Sequence, residues 1–262
     1  MFSRRYLTLL TDFGLRDGYV GILKGVIATI DATVATIDIT HNISPQDVAA
    51  ARFCLANAYP YFPEDTVHVA VVDPGVGTPR RGIAVQLEDG FLVGPDNGIF
   101  GGVLDRHRVV MAVELTEAKY WRNPQPSRTF HARDIFAPVG AHLATGVRVD
   151  RLGKLIDPES LLRLPLPEAE DKGTSIEACV QYCDRFGNLI TNVPVAWVEG
   201  KSWYVEIETT KIPSGITYSD AKPNETVALV GSHGWLEIGA NRTSACEQLG
   251  VGVGTPVRVV CS

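Results

Sequence analysis

The chain of 262 residues contains no unbroken apolar stretch near the roughly 18 residues that a membrane-spanning helix needs. Its first apolar run, Leu7-Thr8-Leu9-Leu10, stands between Arg4-Arg5-Tyr6 and Asp12 and is too short for the core of a secretion signal. A cytoplasmic protein with no membrane partner is therefore expected. Cysteine is sparse and irregularly placed: Cys54, Cys179, Cys183, Cys246 and Cys261 make an odd number with no C-x-x-C pair, the pattern of reduced thiols. Positive charge is outweighed, since 24 Lys and Arg face 30 Asp and Glu for a net −6, so a phosphate backbone is a poor partner and no nucleic acid is expected. The familiar catalytic and phosphate-binding signatures are also missing. There is no G-x-x-x-x-G-K-[ST] loop, Gly75-Val76-Gly77 lacks the third glycine of a dinucleotide fold, and neither G-x-S-x-G nor H-E-x-x-H occurs.

What is present is an ordinary globular composition, 45% hydrophobic and 21% charged. The first part alternates strand and helix patterns. Leu7–Leu10 ends at Thr11-Asp12 as a strand entering a loop would, and Val20, Leu23, Val26, Ile27 and Ile30 recur at helical spacing. Val34–Ile39 reads as a second strand, and Ser44-Pro45-Gln46-Asp47 as a helix start with Ser44 as its cap. Val67–Val72 is a continuous apolar run, as in a strand buried on both faces. Three more strand patterns follow, and Asp134–Leu143 reads as a helix that Asp134 itself could cap. The fold class predicted is α/β: an N-terminal three-layer α/β domain over residues 1–164 with a mostly parallel sheet, a proline-rich, charged linker over 165–172, and a small β-barrel-like domain over 173–262.

In an open parallel sheet, ligands bind beyond the carboxyl ends of the strands. Asp12, in Thr11-Asp12-Phe13-Gly14, and Asp73, in Val72-Asp73-Pro74-Gly75-Val76-Gly77, both fall at such ends. Either aspartate alone also reads as a turn cap; two on one sheet favour a site. Arg80 and Arg81 follow the second loop, as solvated charges or as a partner that keeps Asp73 ionised. His131 stands in Phe130-His131-Ala132-Arg133-Asp134. Further on, Asp184-Arg185-Phe186-Gly187-Asn188 reads equally as a hairpin turn or a binding loop, and Gly231-Ser232-His233-Gly234 is a second loop of that kind.

These segments, with Gly94-Pro95-Asp96-Asn97-Gly98 between them, occur in an order and spacing that resembles the S-adenosylmethionine hydroxide adenosyltransferase family, adenosine-forming hydrolases related to the fluorinase and chlorinase. The resemblance spans nearly the whole chain. It implies a homotrimer, each site lying where one subunit's first domain meets a neighbour's second. It implies Asp73, Arg80 and His131 as the catalytic set that holds the attacking water, Arg81 being the adjacent competitor for the arginine role. Asp12 then grips the ribose hydroxyls, Asp184 the methionine ammonium and Ser232 the carboxylate, while Phe186 and Asn188 meet the adenine. His233 stands where the fluorinase has an arginine, Gln46 replaces an aromatic wall, and Ala132 is glycine in many relatives. The halogenases carry an aromatic residue at the position of Asp73.

The function implied is hydrolysis of S-adenosylmethionine to adenosine and L-methionine, by water or hydroxide attack on the ribose 5′ carbon, with no metal or other cofactor. Three rivals stand beside it: a halide-using adenosyltransferase, a non-catalytic protein that binds S-adenosylmethionine or adenosine, and a metal hydrolase built from Asp12, His41, Asp73 and His131.

Overall fold

The computed structural model describes residues 6–261, so Arg4 and Arg5 lie outside the described residues. The chain divides after Leu164 into two units, each with its own core.

In the first unit, β1 (Tyr6–Thr11), β2 (Ala35–Thr40), β3 (Thr66–Val71), β4 (Gly82–Leu87), β5 (Gly90–Pro95), β6 (Val109–Glu114) and β7 (Lys154–Ile156) form one sheet in the order β2-β1-β3-β5-β4-β6-β7. Only β4 and β7 run against the other five, which gives the mostly parallel sheet expected. Four helices accompany it: α1 (Tyr19–Ile30), α2 (Val48–Ala58), α3 (Gly101–Leu104) and α4 (Ala137–Ala144). Side chains alternate across the sheet. Leu7, Leu9, Val67 and Val69 pack against Leu23 and Ile27 of α1 and Val139 and Leu143 of α4. Leu10, Ala70 and Val72 pack against Leu55 of α2 and Val103 of α3. Burial on both faces explains why β3 reads as an uninterrupted apolar run, every residue of which is buried.

The connection through α1 carries the chain from β1 to β2 over one face, and α2 returns it to β3 over the other. The strand order therefore switches between β1 and β3. Ligand crevices open at such points, beyond the carboxyl ends of the two strands.

Two helix starts differ from expectation. Ser44 does not cap α2; the cap is Asp47, whose side chain accepts from Ala50 N at 2.8 Å. Gln46 adopts a left-handed φ of 67° because its N–H is turned to Asp12 Oδ2, 2.8 Å away, which delays the helix. Asp134 does not cap α4 either. It lies inside a π-helical turn, Ala132–Phe136, that precedes α4. Pro138 has no N–H to return to the Asp134 carbonyl, which instead accepts from Arg122 N at 2.9 Å.

The second unit contains β8 (Glu170–Asp171), β9 (Ser175–Cys183), β10 (Leu189–Pro194), β11 (Trp203–Ile207), β12 (Thr210–Pro213), β13 (Thr226–Val230), β14 (Trp235–Ala240) and β15 (Pro256–Cys261). Its sheet is antiparallel in the order β12-β11-β15-β9-β10-β14-β13, and a bridge between Ser214 and Ala228 brings the two ends nearly to closure. This is the barrel-like architecture expected. The stretch 165–172 is more than a linker: Asn192 donates to Pro167 O at 2.9 Å, and β8 pairs with β9. Strand β12 and a short helix, α5 (Ala245–Leu249), were not anticipated, although Ser244 caps α5 and Gly250 ends it in the left-handed region.

Candidate active site

Thr11 of β1 and Val71 of β3 are paired in register, so Asp12 and Asp73 leave adjacent strands at the same edge of the sheet, at the switch point. Arg80 grips Asp73 in a fork. Its Nε lies 2.9 Å from Oδ1 and 3.1 Å from Oδ2, and its Nη2 makes a short bond to Oδ2. The same Nη2 donates to His131 Nδ1 at 2.8 Å. Both charged side chains are largely buried, Asp73 at 6% exposure and Arg80 at 12%, and the guanidinium stacks on Phe136. Pairing of this kind is what makes a buried carboxylate tolerable.

The Arg80 contact decides the form of His131. Arginine offers only donors, so the ring nitrogen facing it must be unprotonated. A neutral His131 therefore carries its proton on Nε2 and presents it as a donor. Burial and the Arg80 charge hold the imidazole below the ordinary histidine range, against the opposing pull of Asp73 and Asp134.

Three supports position His131. Asp134, fully buried, accepts from Ser127 N at 2.8 Å and from Arg133 Nε and Nη2 at 2.7 Å each. Burial by itself raises its pKa, but the Arg133 bonds, the Ser127 N–H and the charges of Arg133 and Arg122 outweigh that and leave it lowered. Phe130 packs edge-on against Phe13, with ring centres 5.8 Å apart, and against Tyr19 at 5.4 Å, which ties this segment to the loop after β1. Gly77 permits the third contact. At φ 79° a side chain is disfavoured, and its Cβ would strike the carbonyl of Arg128.

Asp12 spends one acceptor position on Gln46 N. A carboxylate has about four such positions, so it retains capacity for a diol. Arg81 does not join the set. It pairs with Asp96 and reaches the hydroxyl and carbonyl of Ser160. His41 does not join it either, since its Nδ1 bonds Thr11 Oγ1 at 2.8 Å and its Nε2 lies 3.1 Å from Asp38. Arg80 takes most of the acceptor positions of Asp73 and the Nδ1 lone pair of His131, leaving Asp73 a free position on Oδ1. Among the described residues no group of three or more His, Cys, Asp or Glu is placed to hold a metal ion.

In the second unit, Phe186 is 79% exposed on the turn between β9 and β10. Asp184 organises that turn, accepting from Phe186 N and Asn188 N through Oδ1 and from Asn188 Nδ2 through Oδ2, each at 2.9 Å. Phe186 and Asn188 line a hollow of about 560 Å³ with Tyr218, Ala240, Arg242, Thr243 and Ser244. Ser232 is exposed on the loop between β13 and β14. His233 accepts from Trp235 N through Nδ1 and contacts Glu237 Oε2 through Nε2 at 3.0 Å.

Sequence reading missed Glu237 and Tyr218. Glu237 is 4% exposed and accepts a short bond from the Tyr218 hydroxyl, so one buried carboxylate joins the hollow to the His233 loop. Burial pushes this carboxyl up, but the bonds from His233 and Tyr218 more than offset it and leave it lowered. Burial, then Glu237, pushes the Tyr218 hydroxyl up. Within β14 Glu237 reads as one polar residue in a strand, and nothing local marks it.

Residues 7–153 match the model of the SAM hydroxide adenosyltransferase N-terminal domain, and residues 178–258 match that of the C-terminal domain. The chain is 40% identical to an (R)-S-adenosyl-L-methionine hydrolase of Thermus thermophilus, across 98% of this chain and 100% of that protein. It is 39% identical to another of that name from Salinispora tropica, across 97% of each. A conserved Thermotoga maritima protein of known crystal structure superposes with a TM-score of 0.90 at 32% identity, covering 97% of this chain and 99% of that one. The chain belongs to the S-adenosylmethionine hydroxide adenosyltransferase family.

Proposed function

We propose that this chain hydrolyses S-adenosylmethionine to adenosine and L-methionine, with Asp73, Arg80 and His131 activating the water. The relatives' names specify the (R) sulfonium epimer, and we extend that preference to this chain. The observation that carries the reading is the fork of Arg80 on Asp73 and His131 at the switch point. In the reaction the water oxygen forms a bond to the ribose 5′ carbon while the carbon–sulfur bond breaks. The bonding pair returns to sulfur, leaving methionine as a neutral thioether that needs no acid to depart. The burden lies with the nucleophile, because neutral water attacks weakly.

With Nδ1 facing Arg80, His131 offers only its Nε2 proton, so it orients the water as a donor. Asp73 is then the acceptor for the proton that water sheds. A positioned base contributes about 10²- to 10⁴-fold. Orientation can contribute on the order of 7–11 kcal/mol, so positioning outweighs proton removal. Asp12 holds the ribose hydroxyls, Phe186 and Asn188 the adenine, and Asp184, Ser232 and His233 the methionine end. No cofactor enters this reading, and it predicts full turnover after dialysis against a chelator.

The deciding experiment incubates the protein with each sulfonium epimer in ¹⁸O-enriched water and weighs the products. One heavy oxygen in adenosine and none in methionine is expected. Unlabelled adenosine, or intact substrate with both epimers, overturns the reading.

A further inference from the structure

Arg80 and Arg81 are adjacent, yet the fold sends them to different carboxylates. Both arginines stand just before β4, where extended backbone leading into the strand turns neighbouring side chains to opposite sides. Arg80 stacks on Phe136 in the core beneath α1 and α4, whereas Arg81 reaches Ser160, beside Leu161 in the core beneath α2. A slip of one residue would exchange them. Within the loop from Asp73 to Arg80 the backbone makes two tight turns, Val76 N to Asp73 O at 3.2 Å and Thr78 N to Gly75 O at 3.1 Å, Thr78 Oγ1 donates to Gly75 O at 2.7 Å, and the Arg80 fork on Asp73 closes the ends. None of these bonds reaches Arg81, so what sends the second guanidinium elsewhere lies outside the loop.

We propose that Asp96 and Asn97 are positioning residues for the water-activating set: a clamp that grips both ends of the Asp73–Arg80 loop and keeps Arg81 out of the site. Asn97 Nδ2 donates to the carbonyl of Val72, the residue before Asp73, at 2.8 Å. At the other end Asp96 N donates to the carbonyl of Arg81 at 3.0 Å. The Asp96 carboxylate, 3% exposed, accepts from Arg81 Nε at 2.9 Å and makes a short bond to Arg81 Nη2. Its other oxygen accepts from Leu162 N at 2.9 Å, and Arg81 Nη2 also donates to Ser160 O at 2.6 Å. The clamp thus closes against the segment that ends the first unit. A buried carboxylate with all its partners in place is rigid, and removing its charge takes away the ion-pair partner of the guanidinium next in sequence to Arg80, leaving it only the Ser160 hydroxyl and carbonyl. This role rests on Asp73, Arg80 and His131 being the water-activating set.

The test is Asp96→Asn, with two readouts. Turnover should fall about 10- to 100-fold, the scale of a misplaced catalytic group, while KM changes by less than about 3-fold. Independently of substrate, histidine NMR should show the His131 titration rising towards 6.5 as the Arg80 charge loosens from it, with Asp73 and Asp134 still opposite. His142, lowered by burial alone, serves as the internal control and should not move. Asp105→Asn, which breaks exposed pairs with Arg52 and Arg163, should change neither readout. Should Asp96→Asn not fold, Arg81→Lys keeps the charge but loses the fork and should give the same changes in smaller measure. A folded Asp96→Asn with unaltered turnover and an unaltered His131 titration overturns the clamp. Failure of the wild-type protein to turn over either epimer would count against the proposed reaction, and the His131 titration would still read the clamp.

Discussion

Arg80 donates to Asp73 and His131 at once, so the three side chains carry distinct roles despite sharing one network. Asp73→Asn keeps the size and loses the proton acceptor. Its turnover is expected to fall about 10²- to 10⁴-fold with KM nearly unchanged, as steady-state kinetics would register. Wild-type turnover in that variant would remove Asp73 from the role. Protonating His131 places a second donor against Arg80, and burial together with that charge lowers its pKa. Turnover should therefore hold as pH falls through the usual histidine value of 6.5 and decline only below it, which a kcat profile would record. A half-point above 6.5 would contradict the Arg80–His131 geometry. The Glu237 carboxylate makes a different prediction. Glu237→Gln exchanges a charged acceptor for one amide facing Tyr218 and His233, so KM should rise about 10-fold or more while kcat changes less, in line with roughly 1.5–3 kcal/mol for a bond to a charged group.

The strands matter to function through what their burial makes rigid. Leu9 lies fully buried on β1, packed with α1 and α4, three residues before Asp12, and Leu9→Ala should cost about 2–5 kcal/mol in urea unfolding. At the opposite face of β3, His68 bonds Thr8 Oγ1 at 2.8 Å and is stacked near Tyr59 and Phe62. Burial lowers its pKa from 6.5 to about 4, with Asp89 pulling the other way. The native state thus binds this proton less readily than the unfolded chain. Its contribution is full above 6.5 and drains as pH falls towards 4, a loss of roughly 3 kcal/mol in total. Urea midpoints measured across that window should fall in the wild type and fall less in His68→Gln. The π-helical turn belongs at this scale too. Pro138 leaves the Asp134 carbonyl to Arg122 N in the wide turn between His131 and α4, and the helical period of Asp134–Leu143 carries no sign of that turn.

For the whole molecule, the family resemblance leads us to propose a homotrimer in which one subunit's first unit and a neighbour's second complete each site. Light scattering should then give about three times the 28.4 kDa of one chain. Mixing Asp73→Asn with Asn188→Ala subunits under exchange should recover part of the activity that neither has alone, because some pairings are wild type on both sides. A monomeric protein, or mixtures no better than the two variants, would dismiss that assembly.

Periodicity alone was enough for the α/β class, the buried β3 run and the barrel-like second unit, because burial on one or both faces writes itself into the order of apolar residues. Short motifs likewise marked Asp12, Asp73 and His131, since loops at strand ends carry their chemistry in contiguous residues. Tertiary structure alone decided the rest. That Arg80 meets Asp73 while Arg81 is held by Asp96, that Asp47 and not Ser44 caps α2, and that Glu237 joins Tyr218 to His233 all depend on partners distant in sequence. Each is a choice among nearly equal local options, and the choice is made by which buried charge or hydrogen bond the packed core leaves without an alternative.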